Sequence, residues 1–254
     1  MNKENYIAVF DSGVGGISVL RHLVKALPSE RFLYFGDSAN APYGTKTKEQ
    51  VRALTFAAAE MLIKQGIKAL VVACNTATSA AIEDLRKAYP KMIIIGIEPA
   101  LKLAADKFPG GKLGVMATPM TLREEKFARL MERFDESCDI FKIPAPGLVE
   151  LIESGKADSP ETDALLRELF DPYPELDALV LGCTHYPFAA KSISRVLGDG
   201  VALLDGGDGT ARETRRRLEE ADLLAPASQE GYVLLQSSGN TEQFKFLAQK
   251  LLDK

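Results

Sequence analysis

Ala69-Leu70-Val71-Val72-Ala73-Cys74-Asn75-Thr76 decides the fold of this chain, because a second version of it, Ala178-Leu179-Val180-Leu181-Gly182-Cys183-Thr184-His185, aligns with it without a gap about the cysteine. Each opens on an uninterrupted apolar run, too short for an ordinary helix and of the length of a strand covered on both faces. Comparable runs lie on either side: IleAlaValPhe (7–10), ArgPheLeuTyrPhe (31–35), MetIleIleIleGlyIle (92–97), LysLeuGlyValMet (112–116) and ValAlaLeuLeu (201–204). The two cysteine-bearing strands cover 69–73 and 177–181, and longer amphipathic stretches separate all of them. Strands alternating with helical patterns predict an α/β protein built mainly on parallel sheet.

The likeness extends beyond the cysteines. Upstream stand PheAspSerGly (10–13) and MetAlaThrPro (116–119), each a strand running into a polar turn; downstream a further strand leads to an acid, Glu98 in one half and Asp205 in the other. The repeat predicts two similar α/β units related by internal pseudo-symmetry, with the active site in the cleft between them at the carboxyl ends of their strands. The first unit is expected to take residues 1–97 plus 208–254, and the second 98–207. The chain would cross at the GluPro pair of 98–99, which discourages helix continuation. AsnThrGluGln (240–243) has the form of a capping box, and the PheLysPheLeuAlaGlnLysLeuLeu that follows reads as a terminal amphipathic helix packed on the first unit.

With 254 residues, 46% of them hydrophobic, the chain can bury a substantial core. Lys plus Arg number 31 against 35 acids, and the basic residues are scattered, so nothing resembles a nucleic-acid footprint. The densest basic run, Arg215 to Arg217, is flanked by Glu213 and Glu219 and reads as a solvated helix face. No stretch approaches the roughly 18 apolar residues of a membrane helix, and the opening MetAsnLysGluAsn runs into an apolar segment too short for a signal peptide. A soluble, cytoplasmic protein with no membrane partner is expected. Its three cysteines are odd in number and widely spaced, which favours free thiols over a disulfide framework.

Cys74 and Cys183 each end a strand and precede a polar segment able to open a helix, where backbone amides and the helix dipole favour a thiolate. Cys138, in AspGluSerCysAspIle, has acidic neighbours and reads as a small buried hydrophobe. Three chemistries could use the matched pair. Cys74, Cys183 and His185 could ligate zinc, but close Cys-X-X-Cys spacing is missing. Cys183 with His185 could be a hydrolase nucleophile and its base, which leaves Cys74 unexplained. Two acid/base thiols acting on opposite faces of one carbon account for both. The loop AspSerGlyValGlyGly (11–16) has a phosphate cradle's glycines without the P-loop Lys-Ser/Thr, and Ser18 stands where a dinucleotide fingerprint needs its third glycine. It places Asp11 and Ser12 at a strand end beside amides that could receive a carboxylate. Of the two histidines, His22 lies in a core helix pattern and His185 near Cys183, where it could relay protons.

PheAspSerGlyValGlyGly (10–16), GlyAspSerAlaAsnAlaProTyrGly (36–44), AlaCysAsnThrAla (73–77) and LeuGlyCysThrHisTyrPro (181–187) together resemble the four main motifs of the glutamate racemases, in their order and spacing, and SerSerGlyAsnThrGluGlnPhe (237–244) resembles that family's closing segment. The resemblance runs nearly end to end. It implies a cofactor-independent isomerase that interconverts L- and D-glutamate and supplies D-glutamate for peptidoglycan. Cys74 and Cys183 would be its acid/base residues, assisted by Asp11 and His185. Ser12, Pro42, Tyr43, Gly44, Asn75, Thr76, Thr118 and Thr184, with Asp11 and His185, would contact substrate, and Asp37 and Glu153 match supporting acids. No metal and no nucleic-acid partner is implied; a homodimer is left open. A racemase for aspartate or another acidic amino acid, and a non-catalytic amino-acid binding module, are the rival readings.

Overall fold

The computed structural model describes residues 2–98, 100–134 and 137–252, leaving aside the side chains of 126 and 127. Pro99 of the expected crossing pair, and Asp135 and Glu136 before Cys138, lie outside the described residues. The strands are β1 (Ile7–Asp11), β2 (Arg31–Gly36), β3 (Ala69–Val72), β4 (Ile93–Gly96), β5 (Lys112–Ala117), β6 (Asp139–Pro144), β7 (Ala178–Leu181), β8 (Ala202–Asp205) and β9 (Tyr232–Ser237). The helices are α1 (Ile17–Ala26), α2 (Lys48–Lys64), α3 (Asn75–Ala88), α4 (Leu101–Lys107), α5 (Pro119–Arg123), α6 (Glu125–Glu132), α7 (Leu148–Glu153), α8 (Pro160–Phe170), α9 (Ala190–Leu197), α10 (Gly207–Glu220) and α11 (Thr241–Leu252).

Contacts divide the chain into two compact units, one of residues 1–98 with 207–254 and one of 99–206. Unit 1 holds a five-stranded sheet in the order β4-β3-β1-β2-β9 and unit 2 a four-stranded sheet in the order β6-β5-β7-β8. Every pairing is parallel. The orders β4-β3-β1-β2 and β8-β7-β5-β6 superpose element for element, so the repeat seen in the two cysteine segments is a repeat of topology. Unit 1 adds β9 outside β2.

β1, β3 and β7 are buried along their whole length, as unbroken apolar runs between helix layers must be. Two strands are additions to the sequence expectation. β6 and β9 are edge strands, half exposed, and their sequences AspIlePheLysIlePro and TyrValLeuLeuGlnSer mix polar with apolar residues. An edge position leaves one ladder side unpaired and tolerates Lys and Pro, which erases the continuous apolar signature.

The terminal helix forms where the capping pattern predicts, with Asn240 Oδ1 accepting the Gln243 N–H at 3.2 Å, and it packs through Phe244, Ala248 and Leu251. On α10 the Arg run is solvated: Arg216 pairs with Glu213 and Glu220, while Thr210, Ala211, Thr214 and Leu218 face inward. His22 sits half-buried on α1. Cys138 is buried and its thiol donates to the Phe108 carbonyl at 3.4 Å.

A buried ion pair lies inside unit 1. Lys68 is fully buried, ion-paired to Glu30, and its Nζ also donates to the carbonyls of Lys3 and, at 2.9 Å, Leu223. Glu30 Oε1 accepts the Ala225 N–H at 2.8 Å. Four distant segments are thereby tied at one point. Burial pulls the Lys68 ammonium below its ordinary range, and Glu30 acts against that. Among the described residues no helix is long and apolar enough to cross a membrane.

Candidate active site

The candidate residues of unit 1 gather at the carboxyl ends of β1, β2 and β3. Cys74 follows β3 by two residues and caps α3 through its sulfur, which accepts the Ala77 N–H at 3.4 Å; the thiol also donates to Ser12 Oγ at 3.6 Å. Sulfur in that position meets the positive end of a 14-residue helix, where negative charge is favoured. Asn75 begins the same helix. Its side chain is buried, yet among the described residues neither Oδ1 nor Nδ2 has a hydrogen-bond partner. A buried amide left unpaired costs about 1–3 kcal/mol, so such a group marks a place kept for something other than stability. Thr76 is buried beside it.

Asp11 ends β1 and is completely buried. Its Oδ1 accepts the Gly13 N–H at 3.0 Å, so that amide serves Asp11 itself, and its carbonyl accepts the Asp37 N–H at 2.9 Å. Gly16 allows this packing, because a Cβ there would stand 2.6 Å from that of Asp11. Asp37, just past β2, is buried and surrounded by donors: Tyr43 OH to Oδ2 at 2.6 Å, Ser238 Oγ to Oδ1 at 2.6 Å, and Asn40 Nδ2 to both oxygens at 3.0 and 3.2 Å. Burial, followed by the carboxylate of Asp37, holds the Tyr43 phenol far above its ordinary range, so it is a fixed donor. Tyr43 opens a short 3₁₀ turn with Gly44 half-buried and Pro42 exposed at its entrance.

In unit 2, Cys183 follows β7 by the same two residues. The expected helix start is absent here. Cys183 is followed by a 3₁₀ turn over Tyr186–Ala189, and α9 begins only at Ala190. Pro187, inside that turn, lacks the N–H a regular helix would use. A histidine takes the place of the helix: His185 Nδ1 lies 3.8 Å from Cys183 Sγ, and Nε2 lies 2.9 Å from Glu153 Oε1 at the end of α7. His185 is buried while the Glu153 side chain is 38% exposed, so the chain sulfur, imidazole, carboxylate runs from the interior toward solvent. Burial, and after it the charge of Cys183, raises the Tyr186 phenol well above its ordinary range, and its hydroxyl donates to the Ala145 carbonyl. Thr184 is buried, and Thr118 caps α5 by accepting the Thr121 N–H at 3.3 Å. Among the described residues no three His, Cys, Asp or Glu side chains are grouped as metal ligands would be.

A family model described as Asp/Glu/Hydantoin racemase matches residues 7–214. The chain belongs to this racemase family. A glutamate racemase of Clostridium acetobutylicum is 50% identical over 99% of this chain and 98% of its own length. The crystal structure of glutamate racemase from Thermus thermophilus in complex with β-chloro-D-alanine superposes with a TM-score of 0.87 at 39% identity, covering 99% of this chain and 94% of that one. A glutamate racemase of Francisella tularensis in complex with D-glutamate gives 0.87 at 27% identity, over 99% and 95% of the two chains.

Within this racemase fold, Asp11, Ser12, Asp37, Tyr43, Cys74, Asn75 and Thr76 form one group at the strand ends of unit 1, and Glu153, Cys183, Thr184 and His185 form another in unit 2. Two participants in these networks escaped the sequence reading. Asn40 follows Asp37 by three residues, a spacing at which a side-chain bond could have been sought. Ser238 reaches Asp37 across 201 positions, and no local pattern announces it.

Proposed function

We propose that the protein interconverts L- and D-glutamate without a cofactor, using Cys74 and Cys183 as its acid/base pair. The observation that carries this is the repetition of one thiol, two residues beyond the equivalent strand, in both units of a racemase-family fold. Each sulfur has its own polar support: the α3 amides and Ser12 for Cys74, His185 and Glu153 for Cys183. One thiolate takes the α-proton while the other thiol delivers a proton to the opposite face of the carbon, and the bonds made and broken are S–H and C–H only. General acid/base steps of this kind contribute about 10²–10⁴-fold each, so the substrate carboxylates need fixed donors to supply the rest. The side chains of Asn75, Thr76 and Thr184 and the backbone of the Tyr43–Gly44 turn, which the Tyr43–Asp37 bond holds in place, are the groups assigned to them, and the product serves peptidoglycan synthesis.

L-Glutamate incubated in heavy water, in metal-free and pyridoxal-free buffer, is expected to yield D-glutamate carrying deuterium at the α-carbon. Unreacted substrate recovered at low conversion stays largely unlabelled, since the thiol that removed the proton returns that same proton on reversal. The mirror result is expected from D-glutamate. Mass spectrometry of both pools decides it, and product that keeps the original hydrogen would exclude the two-thiol route.

Asn75→Ala separates binding from folding. Removing an unpaired buried amide is expected to leave the thermal midpoint of the ligand-free protein unchanged or raised, the unpaired group costing about 1–3 kcal/mol. Glutamate should raise the midpoint of the parent by linkage and fail to raise that of the variant. An Asn75→Ala protein stabilised by glutamate as strongly as the parent would remove Asn75 from the substrate contacts.

A further inference from the structure

We propose that Ser238, on the segment after β9, is a positioning residue for substrate binding: through Asp37 it sets the Tyr43 turn, an inference that rests on the glutamate reading above for the identity of the ligand. β9 runs parallel to β2 with Gly36 opposite Ser237, so the two strands release Asp37 and Ser238 side by side. The Ser238 N–H bonds the Gly36 carbonyl at 3.2 Å, and its hydroxyl accepts the Ala39 N–H at 3.1 Å while donating to Asp37 Oδ1 at 2.6 Å. Ser237 Oγ and Ser38 Oγ form a second bond across the same seam. Gly239 permits the approach, since a Cβ there would stand 2.8 Å from Ser38 Oγ.

The same segment then enters α11, whose Phe244 ring stacks on Tyr34 with centroids 6.0 Å apart and lies against Gly36 so closely that a Cβ would meet it at 2.5 Å. Tyr34 in turn donates to the Gly13 carbonyl at 2.8 Å, in the loop that carries Asp11 and Ser12. Residues 237–244 therefore reach both polar turns of unit 1. Among the described residues three side chains donate to the Asp37 carboxylate; Tyr43 and Asn40 lie within six residues of it, and of the three only Ser238 ties that carboxylate to a distant element. Without that hydroxyl, every side-chain donor left on the carboxylate among the described residues, Asn40 on both oxygens and Tyr43 on Oδ2, belongs to the same loop, so the carboxylate and the Tyr43 turn can shift together. Ser238 itself holds no reacting atom, so its influence falls on binding.

Ser238 is exposed and contributes nothing to the core, so Ser238→Ala should fold. In the full-length protein its KM for glutamate is expected to rise about 10-fold, the low end for a hydrogen bond to a charged group, with kcat within about twofold, and Ser238→Thr should restore KM. Backbone amide exchange in residues 37–46 should quicken in Ser238→Ala while that of 69–74 is unchanged. Should the alanine variant not fold, Ser238→Cys, close in size and a weak donor, gives the same measurement. An unchanged KM, a loss confined to kcat, or exchange that quickens throughout unit 1 would overturn the assignment. A parent protein inactive on glutamate would refute the glutamate reading; the exchange of 37–46 then decides on Ser238 alone, and unchanged exchange overturns it.

Discussion

Cys74→Ala and Cys183→Ala are each expected to lower kcat for glutamate by at least about 10²-fold, the smaller end of what one acid/base group supplies, with circular dichroism and thermal midpoint near those of the parent. Each substitution deletes a single sulfur just past a strand end, and the apolar runs that build the sheets, Ala69–Val72 and Ala178–Leu181, are untouched. The loss should be as large in the D-to-L direction as in the other, since every turnover needs one thiol as base and the other as acid. Cys138→Ala is the control: its thiol bonds a carbonyl and lies in a core cluster with Leu113, Val115 and Met131, so racemisation should stay within about twofold of the parent, far below a general acid/base effect. Activity measured by the appearance of the opposite enantiomer settles the matter. An active Cys74→Ala or Cys183→Ala protein, or an inactive but folded Cys138→Ala protein, would reassign the chemistry.

Lys68→Met is expected to destabilise unit 1 by about 3–5 kcal/mol, the usual loss when one partner of a buried ion pair is removed, and this is a large fraction of a domain's net stability of about 5–15 kcal/mol. The variant strands Glu30 as a buried charge and takes the donor from the carbonyls of Lys3 and Leu223. Adding Glu30→Leu should recover only part of the loss, because those two carbonyls and the Ala225 N–H still lack their partners. Exposed pairs such as Lys3–Asp222 are expected to matter far less, being screened by solvent. Urea unfolding of the single and double variants tests this; a Lys68→Met protein with the parent's midpoint would show that the network contributes nothing net.

Most of the fold was legible because buried parallel strands write themselves as apolar runs: β1, β3, β5 and β7 were read from residues that face helices on both sides. The matched cysteines were legible for a related reason, since the segments around them repeat almost residue by residue. β6 and β9 were not read, being edge strands whose burial does not force an apolar pattern. The partners of the site were legible only where a motif or a family likeness carried them. Glu153 was placed by likeness and meets His185 across 32 positions; Ser238 and the Lys68 network depend on contacts between distant segments, which no window of sequence displays. Lys68 in particular sits in IleLysAlaLeu, where a charge at the entrance to a strand would ordinarily be taken as exposed.

The fifth strand of unit 1 comes after all of unit 2 in the sequence. On the ribosome, unit 2 emerges as one uninterrupted stretch and holds all its strands before synthesis ends, as domains that fold in turn require. The first four strands of unit 1 emerge earlier and wait with the outer side of β2 unpaired, an open edge of the kind that invites wrong partners. The hydroxyl that anchors Asp37 is translated only after the whole of unit 2. The half of the molecule that carries Cys74 is begun before the other half and completed after it.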